Sequence, residues 1–148
     1  MDGIRTDQSQ NVPCSFVIFG ATGDLATHKL LPALFDLERV ERLADNLSFI
    51  ALARRSWTTD DWLEHVRTLL KDKIEQSPIP QAVLNRFLAR FRYLQGDLND
   101  AESYRTLAAD LTACGSGCSR TVFYLAIRPA DFVTVIKNLK AAGLNEPR

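Results

Sequence analysis

Four short apolar runs alternate along the chain with longer stretches in which apolar residues return every three or four positions. That alternation predicts repeated strand-helix units around a parallel sheet. The first run, Cys-Ser-Phe-Val-Ile-Phe at residues 14–19, is too continuously apolar for a strand with one wet face and suits one covered on both sides. Leu30, Leu31, Leu34, Phe35, Leu37, Val40 and Leu43 then share helical spacing, which predicts a helix to about residue 43. Pro32 falls near its start. A proline is nearly neutral in a first turn but costs about 3 kcal/mol in a helix interior, so Pro32 marks a beginning or a kink, with residues 23–28 as a separate turn.

Residues 48–53 (Ser-Phe-Ile-Ala-Leu-Ala) read as a second strand ending at Arg54 and Arg55. Thr59 or Asp60 caps the helix that follows, where Trp62, Leu63, Val66, Leu69, Leu70 and Ile74 share a face. Two prolines in residues 77–80 break it, and a short helix over 82–90 leads to a third strand over 91–94, closed by Gly96 and Asp97. Asp100 opens a helix through Tyr104, Leu107, Ala108 and Leu111, and Gly115, Ser116 and Gly117 form a turn. Residues 121–127 (Thr-Val-Phe-Tyr-Leu-Ala-Ile) are the most strand-like of all. Pro129 stops them, and Asp131 caps a last helix through Phe132, Val135, Ile136 and Leu139, ended by Gly143. The fold class is α/β: a Rossmann-like, doubly wound, mainly parallel sheet of order 3-2-1-4-5, truncated before a fifth strand expected just after Arg148.

Composition narrows the function. The 148 residues carry 18 Lys+Arg against 18 Asp+Glu, a net charge of zero, with 46% hydrophobic residues. This is a soluble globular balance, and it argues against a nucleic-acid or anionic-membrane surface. No apolar run nears the roughly 20 residues that a spanning helix needs. Residues 1–13 are polar and read as a flexible tail without a secretory signal, ahead of one domain over 14–148. Three cysteines, Cys14, Cys114 and Cys118, are an odd number and point to a reducing cytoplasm. Cys114 and Cys118 have no second pair and no nearby histidine to complete a metal site.

The chemistry begins where the first strand runs into Gly20-Ala21-Thr22-Gly23-Asp24-Leu25-Ala26. Gly20 supplies the positive φ of a sharp strand exit, Gly23 allows close backbone approach to a phosphate, and Ala26 permits tight packing on the sheet. Amides opening the next turn then face a pyrophosphate. No Gly-Lys-Ser or Gly-Lys-Thr follows, so this is not a Walker loop. At the end of the second strand an acidic residue would select NAD; Arg54 and Arg55 stand there instead, offering forked donors to the 2′-phosphate of NADP, with Ser56 as a further hydroxyl donor.

Val17-Ile18-Phe19-Gly20-Ala21-Thr22-Gly23-Asp24-Leu25-Ala26, then Lys29-Leu30 and Pro32-Ala33-Leu34-Phe35, resembles the opening of the glucose-6-phosphate dehydrogenase family. Ala53-Arg54, Gly96-Asp97 and Phe123-Tyr124-Leu125-Ala126 with Pro129 extend the resemblance from about Cys14 to Arg148. It implies that Gly20, Ala21, Thr22, Gly23, Asp24 and Leu25 line the dinucleotide phosphates and that Arg54 binds the 2′-phosphate of NADP. It also implies that Ala126 and Ile127 border the nicotinamide and that Lys29 lies where cofactor and sugar phosphate meet. Arg128 departs from the small residue or proline found in many relatives.

The family's Glu-Lys-Pro segment, its Asp-His-Tyr-Leu-Gly-Lys-Glu segment and its catalytic histidine do not occur in these residues, and His28 and His65 do not replace them. No catalytic residue is therefore assigned to this chain, which resembles the coenzyme domain of a longer enzyme without its substrate domain. In that enzyme a histidine base takes the C1 hydroxyl proton of glucose 6-phosphate as hydride passes to NADP, the entry to the pentose phosphate pathway. The resemblance also implies a homo-oligomer. The alternative is a non-catalytic nucleotide- or partner-binding module from a truncated or split chain. A short stand-alone reductase would need a helical tyrosine and lysine three or four residues apart, and Tyr104 has no such lysine.

Overall fold

The structure, a computed structural model, describes residues 14–112 and 120–144. Its centre is a parallel sheet of β1 (Cys14–Phe19), β2 (Leu47–Ala53), β3 (Phe91–Gln95) and β4 (Arg120–Leu125) in the order β3-β2-β1-β4. In register, Val17 lies between Ile50 and Phe123, and Phe19 between Leu52 and Leu125. This agrees with the expected order as far as the fourth strand. The proposed tail, the turn at Gly115–Gly117 with its two cysteines and the position of a fifth strand lie outside the described residues.

Strand periodicity sorts the side chains into two layers. Ile18, Phe49, Ala51, Phe91 and Tyr93 pack on the face covered by α1 (Leu31–Arg39), α2 (Thr59–Gln76) and α3 (Gln81–Leu88). Val17, Phe19, Ile50 and Leu52 pack on the opposite face, under α4 (Ala101–Thr112) and α5 (Phe132–Ala141). Because β1 and β2 are covered on both faces, their sequences read as near-continuous apolar runs, each interrupted by one serine, Ser15 and Ser48.

Five local expectations are corrected. Residues 23–28 are not a separate turn: the chain is helical from residue 24, widens into a π-helical segment at Ala26–Leu30 and continues as α1, with Pro32 in its first turn. The wide turn falls where an α-helical ladder would have required the N–H that Pro32 lacks. The helix also ends at Arg39, short of residue 43, and Glu41 adopts a left-handed φ of 56°. Val40 continues the apolar spacing only by chance, since it is exposed, while the charged Glu38 is buried.

The cap of α2 is Thr58, where Thr59 or Asp60 was expected. Thr58 Oγ1 accepts from the Asp61 amide at 3.1 Å, and the Thr58 amide donates to Asp61 Oδ2 at 2.9 Å, a reciprocal capping box. Thr59 Oγ1 instead accepts from the Tyr93 amide. Asp131 does not cap α5 with its side chain: its carboxylate receives the Arg128 guanidinium, and the helix is entered through a 3-10 turn at Pro129–Asp131. Gly143, at φ 75°, ends α5 as expected. The fourth strand stops at Leu125, so Ala126 and Ile127 belong to its exit.

No helix among the described residues is long and apolar enough to cross a membrane. β4 forms one edge of the sheet, and among the described residues its outer side has no partner strand. Val122 on that edge is 46% exposed, and α5 beside it leaves Phe132, Val133 and Ile136 in solvent. Unpaired edges with apolar side chains template association. Sedimentation velocity is expected to show concentration-dependent self-association that Val122→Lys reduces. A monomer at all concentrations, with the amides of residues 123–125 protected from exchange, would show the edge to be already covered.

Candidate functional site

A cleft of about 860 Å³ opens across the carboxyl ends of the strands. One wall is the turn after β1. The amides of Gly20 and Ala21 both donate to the Leu52 carbonyl, at 3.0 and 3.2 Å, which ties the turn to β2; the Gly23 amide donates back to the Gly20 carbonyl at 3.0 Å. Gly20 has φ 79°, and a Cβ there would overlap the Ala126 carbonyl oxygen and stand 2.9 Å from Ile127 Cγ2. Glycine at 20 is thus required by backbone conformation and by the β4 exit crossing it. Gly23 differs. A Cβ at 23 would meet the Gly20 carbonyl oxygen closely, at 3.3 Å, and no other atom beyond its chain neighbours within 4 Å.

The opposite walls come from the exits of β2, β3 and β4. Arg54 and Arg55 follow β2; the Gly96 amide donates to the Ala53 carbonyl at 2.8 Å, bringing Asp97, Leu98 and Asn99 alongside. Gly96 is buried, and a Cβ there would press on Ser103 at 3.1 Å. That serine's Oγ accepts from the Asp97 amide at 2.9 Å, and Asp97 Oδ1 accepts from the Asn99 amide at 2.9 Å, so the loop is held by its own polar groups. Ile127, Arg128 and Asp131 complete the lining.

Of the residues assigned from sequence, Gly20, Thr22, Gly23, Arg54 and Ile127 line this cleft. Ala21 and Ala126 are buried behind it. Asp24, Leu25 and Lys29 are exposed on the helical segment beyond the turn and are not part of the lining. Leu98 and Asn99 were not singled out in sequence, and Asp131 was expected only as a helix cap. Their signal was position alone, since ligands of doubly wound sheets sit outside the carboxyl ends of the strands and each exit loop is a candidate.

Charge in the cleft is uneven. Arg128 is paired with Asp131 at 3.1 Å. Arg54 and Arg55 are exposed, and among the described residues no carboxylate lies within ion-pair distance of either. His65, behind Arg55, adds no positive charge at neutral pH, because burial and then the Arg55 charge push its pKa down. The β2 end therefore offers cationic donors that no ion pair occupies among the described residues, while Asp97 and Asp131 are the acidic members of the lining.

A parallel, doubly wound sheet with a glycine turn leaving β1 and a cleft across the strand ends defines the class: a Rossmann-like dinucleotide-binding domain. The model of the family described as glucose-6-phosphate dehydrogenase, NAD binding domain, matches residues 17–148, and the chain belongs to that family. Glucose-6-phosphate 1-dehydrogenase of Mycolicibacterium smegmatis is 40% identical over 134 residues, covering 89% of this chain and 27% of the relative. Glucose-6-phosphate 1-dehydrogenase 2 of Mycobacterium bovis is 35% identical over 140 residues, covering 92% and 27%. The crystal structure of the Mycobacterium avium glucose-6-phosphate 1-dehydrogenase superposes with a TM-score of 0.79 at 34% identity, covering 90% of this chain and 28% of that one. A glucose-6-phosphate dehydrogenase in complex with its substrate gives 0.74 at 30% identity, with the same coverage. The chain thus spans about a quarter of the length of these relatives.

Proposed function

We propose that this chain binds NADP and is the coenzyme domain of a cytoplasmic, homo-oligomeric enzyme that oxidises glucose 6-phosphate to its lactone. The observation that carries the reading is the pairing of two features in one cleft: the glycine turn, bare of a side chain at Gly23, and the arginines at the end of β2 that no ion pair occupies among the described residues. The residues fit the group. The glycine turn leaves room for a pyrophosphate where a Cβ at 23 would intrude, and the first amides of the helix from residue 24 have no intrahelical acceptor. When bound, the nicotinamide accepts the hydride.

The chain's own share is binding and orientation. Gly20, Thr22 and Gly23 border the phosphates, with Asp24 and Leu25 at the start of the helix and Ala21 anchoring the turn through its bond to Leu52. Arg54 donates to the 2′-phosphate. Ala126, whose amide donates to the Phe19 carbonyl at 3.0 Å, fixes the β4 exit so that Ile127 borders the nicotinamide. Lys29, exposed on the π-helical segment, is assigned to the sugar phosphate on the strength of the family resemblance.

Fluorescence titration with NADPH and NADH tests the reading. NADPH is expected to bind more tightly. Arg54→Ala removes a charge-assisted contact of about 1.5–3 kcal/mol, so NADPH affinity falls about tenfold or more while NADH affinity stays nearly unchanged. Equal weakening of both would remove Arg54 from the 2′-phosphate.

A further inference from the structure

The exit of β4 brings a third arginine into the cleft, and this one is held at both ends. Arg128 precedes Pro129, whose ring confines the residue before it to extended backbone, here φ −65° and ψ 145°. Its carbonyl accepts from the Asp131 amide at 2.9 Å. The guanidinium is fixed as well, with Nε donating to Asp131 Oδ2 at 3.1 Å and Nη2 to Asp131 Oδ1 at 3.4 Å. That fork uses one edge. Nη1 has no partner among the described residues, so the other edge is left for a ligand in the cleft. With the Arg128 side chain 79% exposed, the pair adds little to stability; what it fixes is orientation.

The strand order supplies a target. The turn after β1 lies between the β2 exit, with Arg54 and Arg55, and the β4 exit, with Arg128. From Gly20 to Ala26 that turn contains no lysine or arginine, so a pyrophosphate on it meets backbone amides and no full positive charge. Ile127 already reaches the turn, its Cγ2 standing 2.9 Å from where a Cβ on Gly20 would be, and Arg128 leaves the backbone one residue further on. A dinucleotide with its 2′-phosphate at β2 and its pyrophosphate over β1 extends its second half towards β4. We infer that Arg128 is a ligand of the nicotinamide-side phosphate, contacting it from the β4 side while the glycine turn contacts the pyrophosphate from the β1 side, and that Asp131 is its positioning residue. The inference rests on the dinucleotide reading above and adds a cation that the family resemblance does not supply. Fixing a long side chain before binding removes its ordering cost from the association step. A guanidinium holds a carboxylate with one edge and a phosphate with the other, which the point charge of a lysine does not.

Three nucleotides titrated against the full chain test it: adenosine 2′,5′-bisphosphate, which lacks the nicotinamide-side phosphate; 2′-phospho-ADP-ribose, which has it; and NADPH, which adds the nicotinamide. Arg128→Ala is expected to weaken NADPH and 2′-phospho-ADP-ribose alike, about tenfold, and to leave the bisphosphate unchanged. Asp131→Asn is expected to weaken the same two ligands several-fold, with no further loss when it is added to Arg128→Ala. A merely structural role for Asp131 at the entry of α5 would persist in that double variant and would lower bisphosphate affinity too. The inference is overturned if Arg128→Ala weakens all three nucleotides equally, or none. Weakening of NADPH alone would move Arg128 to the nicotinamide and overturn it as well. If Asp131→Asn tightens dinucleotide binding, Asp131 competes with the phosphate for Arg128, and its positioning role falls. The two readings fail separately: an unaltered chain that binds none of the three removes both, whereas one that binds all three with no effect of Arg128→Ala removes this inference alone.

Discussion

Glu38→Gln is expected to remove about 3–5 kcal/mol of stability, a large share of the roughly 5–15 kcal/mol that holds a domain folded. Glu38 is 1% exposed. Its Oε1 accepts from Arg90 Nε at 2.5 Å and its Oε2 from Arg86 Nε at 2.7 Å. Arg90, buried as well, also donates to the carbonyls of Ala44 and Leu47, at 2.7 Å each, and so joins α1 to the end of α3 and to the entry of β2. Neutralising Glu38 leaves a buried guanidinium without its counter-charge, which is more damaging than the pair is favourable.

The same cluster predicts a pH dependence. Burial opposes ionisation of Glu38, but the hydrogen bonds from Arg90 and Arg86 outweigh it and hold the carboxyl below its usual pKa. A depressed folded-state pKa means that the contribution is complete above the unfolded value of about 4.3 and is lost as pH falls through the folded value. Urea unfolding from neutral pH downwards should show the unaltered chain losing stability below about pH 4 faster than Glu38→Gln. A difference under about 1 kcal/mol at neutral pH, or one that does not change with pH, would mean that the cluster is not holding these elements together.

Substitutions in the turn after β1 are expected to separate folding from binding. Gly20→Ala places a Cβ at φ 79° against the Ala126 carbonyl and Ile127. The left-handed backbone alone costs about 1–2 kcal/mol, and the overlap raises the total to about 3 kcal/mol or more. Gly23→Ala meets only one carbonyl oxygen, at 3.3 Å, so its stability should change by less than about 1 kcal/mol. Its methyl group instead occupies the approach to the turn, and NADPH affinity should fall about tenfold or more. Thermal unfolding and cofactor titration on the two variants provide the check. A Gly23→Ala chain that binds NADPH normally would place the pyrophosphate elsewhere.

Why some elements were legible in the sequence and others were not follows from the range of the forces involved. The strands of the sheet centre are visible because burial on both faces leaves no alternation of polar and apolar positions, as in residues 14–19. Gly20 is visible because a strand exit demands a conformation few other residues adopt. The end of α1 is not, because the spacing of Leu37, Val40 and Leu43 imitates a helical face while the residue that is actually buried is charged. Only the arrival of Arg86 and Arg90, some fifty residues later, makes Glu38 an interior residue.

The site divides in the same way. Local sequence determined the parallel α/β class, the glycine turn after β1 and the cationic end of β2, since each depends on neighbouring residues and on strand period. Tertiary structure alone decided which turn residues face the cleft, because Ala21 and Ala126 are turned inward by the crossing of β1 and the β4 exit. It also decided that Asp97, Leu98 and Asn99 join the lining. Those outcomes depend on contacts between segments far apart in the chain, and a residue's own neighbours carry no information about which distant surface it will meet.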